Sequence, residues 1–186
     1  MNKTKALIDS WRWGENNGNK YLESDLLKSA GIKHAFFTKI CYSNQPRNLK
    51  DTFNNNCSYH CTNQIHSNRV IEASEASKKP WPEGDGLISD KQNQSLWIYT
   101  SDCIPVLIGD HKGVNVAACH AGWRGISKRI ITKTIFKLIS NGVDKNSLVI
   151  ALGPSIGKNN YEVKAEVLEA INKSILGEGT DWLIGK

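Results

Sequence analysis

Long apolar runs are missing from this 186-residue chain. No uninterrupted stretch approaches the roughly 20 residues that a membrane-spanning helix needs. The apolar run within residues 1–9 is too short for a secretory signal, so a cytoplasmic protein with no membrane partner is expected. Long basic runs are missing too. Lysine and arginine outnumber aspartate and glutamate 24 to 18, yet no basic run exceeds the pairs Lys78-Lys79 and Lys128-Arg129. There is no RNA-binding pattern of alternating aromatics and glycines either. The surplus charge therefore reads as a mildly basic solvated surface, and nucleic acid is not an expected partner. The phosphate-cradling P-loop, the dinucleotide glycine fingerprint and the Gly-x-Ser-x-Gly elbow are all lacking. Cysteines are few and odd in number: Cys41, Cys57, Cys61, Cys103 and Cys119. Without a secretory signal, they suit free thiols or metal ligands better than a disulfide framework.

What is present is the composition of an ordinary globular domain, long enough to bury a real core. A short helix is expected over residues 24–29, ended by Gly31. Residues 34–38 read as a strand, 41–63 as a long Asn-rich loop, and 65–73 as a strand centred on Val70 and Ile71. A loop rich in proline and glycine over 78–86 leads into Leu87-Ile88-Ser89. Beyond Leu96 the pattern sharpens. Strands are expected over 96–100 and 104–108, then a hairpin turn at 109–113 and a strand over 114–119. Ile130, Ile131, Ile135, Leu138 and Ile139 recur with helical spacing, and Gly142 closes that helix. Residues 148–152 form a further strand. A last helix starts near Val163 with Val167, Leu168 and Ile171 on one face. The expected fold class is α+β, one domain over residues 1–186 without repeats.

The densest chemistry lies in Ala118-Cys119-His120-Ala121-Gly122-Trp123-Arg124-Gly125, a strand-to-helix turn at the open end of a sheet. Two other segments also set a soft or borderline ligand beside turn residues: Asn63-Gln64-Ile65-His66 and Thr100-Ser101-Asp102-Cys103. Two imidazoles and one thiolate suit Zn²⁺, and three protein ligands leave a position open for water or substrate. A rival set is Cys57, His60 and Cys61, with Cys41 upstream, although its spacing matches no zinc-ribbon or finger pattern. Neighbours on a strand point to opposite faces, so a site-facing His120 puts Cys119 in the core. Arg124, in the turn before a helix, is placed either for an anion or for a plain surface salt bridge. Asp102 and Asp85 are candidates for orienting a metal ligand or for proton transfer, and both also suit a turn.

Taken in order, several motifs carry a family resemblance. They are His34-Ala35-Phe36-Phe37-Thr38, Gln64-Ile65-His66-Ser67-Asn68-Arg69-Val70 and Asp85-Gly86-Leu87-Ile88-Ser89. Thr100-Ser101-Asp102-Cys103-Ile104-Pro105-Val106-Leu107 and His120-Ala121-Gly122-Trp123-Arg124-Gly125 follow, then Gly153-Pro154-Ser155-Ile156-Gly157 and Tyr161-Glu162-Val163. With these, from about residue 30 to about 170, the chain resembles the laccase-domain family. That family was first described as multicopper polyphenol oxidases and is now regarded as zinc-dependent purine nucleoside phosphorylases.

The resemblance implies a layered α/β sandwich around mixed β-sheets, acting as a monomer or weak homodimer. It places the zinc ligands on His66, Cys103 and His120. The implied substrates are adenosine, inosine, guanosine and methylthioadenosine, cleaved by phosphate to the base and ribose 1-phosphate. Adenosine deaminase activity and a role in peptidoglycan quality control come with the same resemblance. Within that reading Arg124 is assigned to phosphate and Asp102 to acid/base or orienting work. Copper is the less expected metal, because multicopper sites need many more histidines than the five here.

Two departures stand out. Where the family has an arginine and a glycine-rich turn after the Phe-Phe-Thr strand, this chain has Lys39-Ile40-Cys41-Tyr42-Ser43 and a shortened loop. It also ends at Lys186, where family members continue. A shortened or divergent member is therefore expected, with a catalytically impaired zinc-binding relative acting through partners as the alternative.

Overall fold

The computed structural model describes residues 11–41, 46–52 and 56–176. Residues 1–9, the Tyr42-Ser43 part of the divergent loop and the C-terminal residues 177–186 lie outside the described residues.

The chain opens on a hairpin of β1 (Trp11–Asn16) and β2 (Asn19–Ser24), extended by the two-residue β3 (Phe36–Phe37). Asn17 and Gly18 make its turn with φ of 50° and 75°, the twist-matched conformation that Asn-Gly favours. Ser24 then caps α1 (Asp25–Ser29), its hydroxyl accepting from the Leu27 N–H at 3.3 Å. Gly31, at φ 76°, follows the helix end, as expected from the sequence.

The central sheet has five strands in the order β10 (Leu148–Leu152), β8 (Ile104–Asp110), β9 (Val116–Ala121), β6 (Gly86–Ile88) and β5 (Val70–Glu72). Neighbours are antiparallel except β5 and β6, which run parallel. The turn from β8 to β9 is organised by the Asp110 carboxylate. It accepts from the N–H groups of Lys112 and Val114 and from the Asn115 amide, while Gly113 takes φ 64°. Pro105 is tolerated inside this central sheet because it lies just beyond the end of β10, where its carbonyl accepts from Gly153 and no donor is required.

Alternation splits the sheet's side chains between two cores. Val106, Ile108, Ala117 and Cys119 face α4 (Ile130–Ser140), packing with Ile130, Leu138 and Val143. Leu107, Val116, Val149 and Ala151 face the other way, toward Leu27, Ala30 and Ile32 around α1. Each fully buried Leu or Ile contributes roughly 1.5–3 kcal/mol. The short helix α3 (Trp123–Ser127) is separated from α4 by Arg129, which adopts φ 63°. The final helix, α5 (Ala165–Leu176), is tied down by a bond from the Arg129 guanidinium to the Ser174 carbonyl.

The expected α+β class is what the structure has: helices on sheets of mixed direction. Several expected bounds shift. The strand over 34–38 shrinks to β3 because His34 is used otherwise. Its Nε2 accepts from the Ser24 N–H and its Nδ1 bonds the Ile32 carbonyl, both at 2.8 Å. The strand over 65–73 shortens to β5, since residues 65–67 spend their N–H groups on the Asp85 carboxylate. The strand over 114–119 slides to β9. The Asn-rich stretch 41–63 is no simple loop. It holds α2 (Pro46–Leu49) and β4 (Ser58–Cys61), which pairs in parallel with β7 (Gln94–Trp97) in place of the strand expected over 96–100. On α5, Val167 is buried but Leu168 is 57% exposed, so the two do not share the buried face.

Candidate metal centre

The site forms where three chain segments meet at one end of the central sheet. The β8–β9 register pairs Ile104 with Ala121 and Pro105 with His120. Cys103 immediately precedes β8, so its thiol and the His120 imidazole become neighbours. Alternation on β9 sends Cys119 to the opposite side. There it is fully buried, and burial pushes its thiol up to about 12, with the neighbouring Thr134 hydroxyl acting in the opposite sense.

His66 arrives on the loop between β4 and β5 with φ 57°, an unusual backbone conformation for a residue other than glycine. Asp85 holds it there. One carboxylate oxygen accepts from the His66 N–H at 3.0 Å, and the other from the Ile65 N–H at 3.3 Å and the Ser67 N–H at 2.6 Å. The Ser67 hydroxyl adds a fourth bond at 2.7 Å, and the His120 Nδ1 a fifth at 2.9 Å. Burial alone would push this fully buried carboxyl up, but the hydrogen bonds from His120, Ser67 and Ile65 outweigh it and keep it below the ordinary value. An ionised Asp85 fixes the proton of a neutral His120 on Nδ1 and leaves the Nε2 lone pair available.

His66, Cys103 and His120 thus converge, with their ligand atoms all within 4.8 Å of one another. The two imidazoles meet edge to face with ring centroids 4.8 Å apart. A glycine makes this approach possible: a Cβ on Gly122 would lie 2.8 Å from the Cys103 sulfur and 3.1 Å from the His66 ring. The donor set fits zinc, and exposure falls from His66 through Cys103 to His120, which leaves one side open. Zinc–ligand bonds of about 2.0–2.3 Å put ligand atoms roughly 3.5 Å apart, so a modest contraction of the cluster completes the fit. The Cys103 thiol is pushed up by burial and by the charges of Asp102 and Asp85. A divalent cation beside it acts in the opposite sense.

The rival set does not assemble. Among the described residues, His66, Cys103 and His120 make the only group of three such ligands. Cys41 bonds the Lys20 carbonyl, and His60 pairs with the Ser58 hydroxyl at 2.7 Å. Burial pushes the Cys61 thiol up to about 11.

The two other predicted site residues are exposed. Asp102 directly precedes Cys103, with its carbonyl accepting from Ile156. Arg124 sits in the first turn of α3 with its guanidinium 4.3 Å from the centre of the Trp123 ring. Gly122, Ser67 and Gln64 are structural members of the site to which the sequence reading gave no role. Their residue types fit the parts they play, but the contacts depend on segments distant in the chain.

Comparison with known proteins points one way. The family model described as multi-copper polyphenol oxidoreductase laccase matches residues 25–180. A purine nucleoside phosphorylase of Synechocystis is 38% identical over 173 residues, covering 90% of this chain and 65% of that protein. One from Clostridium acetobutylicum is 37% identical over 130 residues, covering 69% and 53% respectively. The chain therefore spans about two-thirds or less of the length of these relatives. Among solved structures, the Neisseria meningitidis protein NMB0706 superimposes with a TM-score of 0.64 at 24% identity, over 92% of this chain and 73% of that one. YlmD of Geobacillus stearothermophilus gives 0.60 at 21% identity, over 67% and 49%. At those identities the likeness speaks for the fold.

Proposed function

The chain belongs to the multi-copper polyphenol oxidoreductase laccase family, and on that premise we propose that it is a zinc-dependent purine nucleoside phosphorylase. The substrates would be adenosine, inosine, guanosine and methylthioadenosine, converted with phosphate to the base and ribose 1-phosphate. Relatives bearing the purine nucleoside phosphorylase name support the reaction class. The observation that carries the reading is the convergence of His66, Cys103 and His120 around an open side, backed by a buried Asp85. His66, Cys103 and His120 would hold the zinc, which would supply Lewis-acid chemistry there.

The chain's own residues do the rest. Asp85 holds the His120 proton on Nδ1 and pins the His66 backbone, so the His120 ring and the His66 loop are held before any ligand arrives. Gly122 keeps the approach between Cys103 and His66 open. Arg124, exposed at the start of α3, offers a planar donor fork to phosphate. Asp102 is exposed beside Cys103, and in this reading it would serve as the acid/base or orienting group. Copper fits less well, since one mixed His-Cys-His cluster among the described residues is far short of a multicopper arrangement.

Adenosine deamination at the same centre is a second activity within this reading, because an activated water at a His/Cys site is the arrangement zinc deaminases use. A cytoplasmic location belongs to the same proposal; no helix among the described residues is long and apolar enough to cross a membrane. Product analysis on a nucleoside panel, with and without phosphate, separates the readings. Phosphate-dependent hypoxanthine release from inosine supports phosphorolysis, and inosine formed from adenosine supports deamination. Bound zinc with neither product leaves the impaired relative as the correct reading.

A further inference from the structure

The three candidate ligands are held at their mutual distances by three separate devices, and one of them has no assigned role. The Cys103–His120 spacing follows from the β8–β9 register, with Ile104 opposite Ala121. The His66–His120 spacing follows from Asp85, which bonds the backbone of one and the ring of the other. The His66–Cys103 spacing is bridged by Gln64. Its side-chain amide donates to the Tyr99 carbonyl at 2.8 Å and accepts from the Tyr99 N–H at 2.7 Å.

The local topology explains why a side chain does this work. β4 and β7 run parallel as far as the pair Cys61–Trp97. Just past that point Asn63 turns to another partner, its N–H donating to the Pro82 carbonyl and its carbonyl accepting from Gly84. The Gln64 amide then takes up both backbone groups of Tyr99, as a neighbouring strand would. Two antiparallel hydrogen bonds in one amide plane leave the side chain little freedom to rotate. Gln64 lies two residues before His66, and Tyr99 four before Cys103, so the clamp joins the two ligand loops close to their ligands.

We infer that Gln64 is a positioning residue that sets the separation of His66 and Cys103 and thereby the affinity and geometry of the metal centre. This inference rests on the zinc reading of that centre. Direct partners of a metal ligand govern affinity by about 10–100-fold; Gln64 touches the backbone of Tyr99 and no ligand, so its effect belongs at the lower end of that range.

The test uses the full chain and three variants: Gln64→Ala, which removes both bonds, Gln64→Glu, which keeps the size but sets a carboxylate against the Tyr99 carbonyl, and Gln64→Asn, which shortens the reach. Zinc affinity is read by competition with a chromophoric chelator, the thiolate-to-metal charge-transfer band by cobalt substitution, and the melting temperature on metal-free protein. The expected result is zinc binding weakened about 10-fold in all three, with a reduced or shifted cobalt–thiolate band. The metal-free melting temperature should move by less than about 4 °C. Wild-type affinity and an unchanged cobalt spectrum in Gln64→Ala and Gln64→Glu overturn the inference while leaving the zinc centre standing. A metal-free melting temperature lowered by more than about 8 °C in all three makes Gln64 a general structural support and also overturns it. A wild-type chain that takes up neither zinc nor cobalt overturns the inference and the zinc reading together.

Discussion

Replacing Asp85 with asparagine separates the two tasks assigned to its carboxylate. The substitution preserves shape and exchanges one acceptor oxygen for a donor. With the new NH₂ at the oxygen facing Ile65 and Ser67, two backbone N–H groups confront a donor. With it at the other oxygen, only the His66 N–H does, provided that His120 gives up its Nδ1 proton and accepts instead. A stranded buried donor costs about 1–3 kcal/mol, so the second arrangement is favoured and the loss is about that of one donor. For a chain of this length each kcal/mol lowers the melting temperature by about 2–4 °C, so a fall of about 2–12 °C is expected in metal-free protein.

The functional cost is of similar size and reads out separately. The displaced His120 proton moves to Nε2, the nitrogen left for a metal, so zinc affinity should drop by about 10–100-fold. The pH dependence has a definite sign. A carboxyl held below its ordinary value of 3.8 stabilises the fold fully above that value. The contribution is lost as pH falls through the depressed folded value, so the stability gap between wild type and Asp85→Asn should close on acidification. Thermal melts across pH and calorimetric zinc titration check both parts. A variant melting within about 1 °C of wild type and binding zinc equally would refute the reasoning.

Other outcomes follow from the same geometry. Gly122→Ala inserts a Cβ 2.8 Å from the Cys103 sulfur and 3.1 Å from His66; zinc titration should show affinity reduced at least about 10-fold. Cys119, its thiol pushed up to about 12, and Cys61, pushed up to about 11, should resist alkylation in the native protein and react only on unfolding, as read by mass spectrometry. His34 is held below its ordinary value by burial, with the Ile32 carbonyl opposing. The folded state therefore resists a proton that the unfolded chain accepts. Stability should fall as pH drops below 6.5 and level off below the lowered folded value. Denaturant midpoints of wild type and His34→Gln across that range should show a shallower pH dependence in the variant.

Much of this fold was legible because its elements are periodic and long. The β8–β9 hairpin and α4 have apolar residues at strand and helix spacing, with Asp110, Gly113 and Gly142 at the turns. The first hairpin was equally signalled by Asn17-Gly18, but the weak alternation of its strands obscured it. β4 was hidden because its four residues, Ser-Tyr-His-Cys, pair with a single partner strand inside an Asn-rich stretch. The strand expected over 65–73 came out too long because local hydrophobicity does not reveal that residues 65–67 bond a carboxylate 18–20 positions away. The same limit applies to the site. His66, Cys103 and His120 were identifiable as chemistry-bearing types, but Gln64 and Gly122 acquire their parts only through contacts set by topology.

The central claim is that His66, Cys103 and His120 form one zinc site. Elemental analysis of wild type and Cys103→Ala, each purified, exposed to excess zinc and dialysed, tests it most directly. About one zinc per wild-type chain, with little retained by the variant, is the expected result. Equal zinc in both proteins, or none in the wild type, would contradict it.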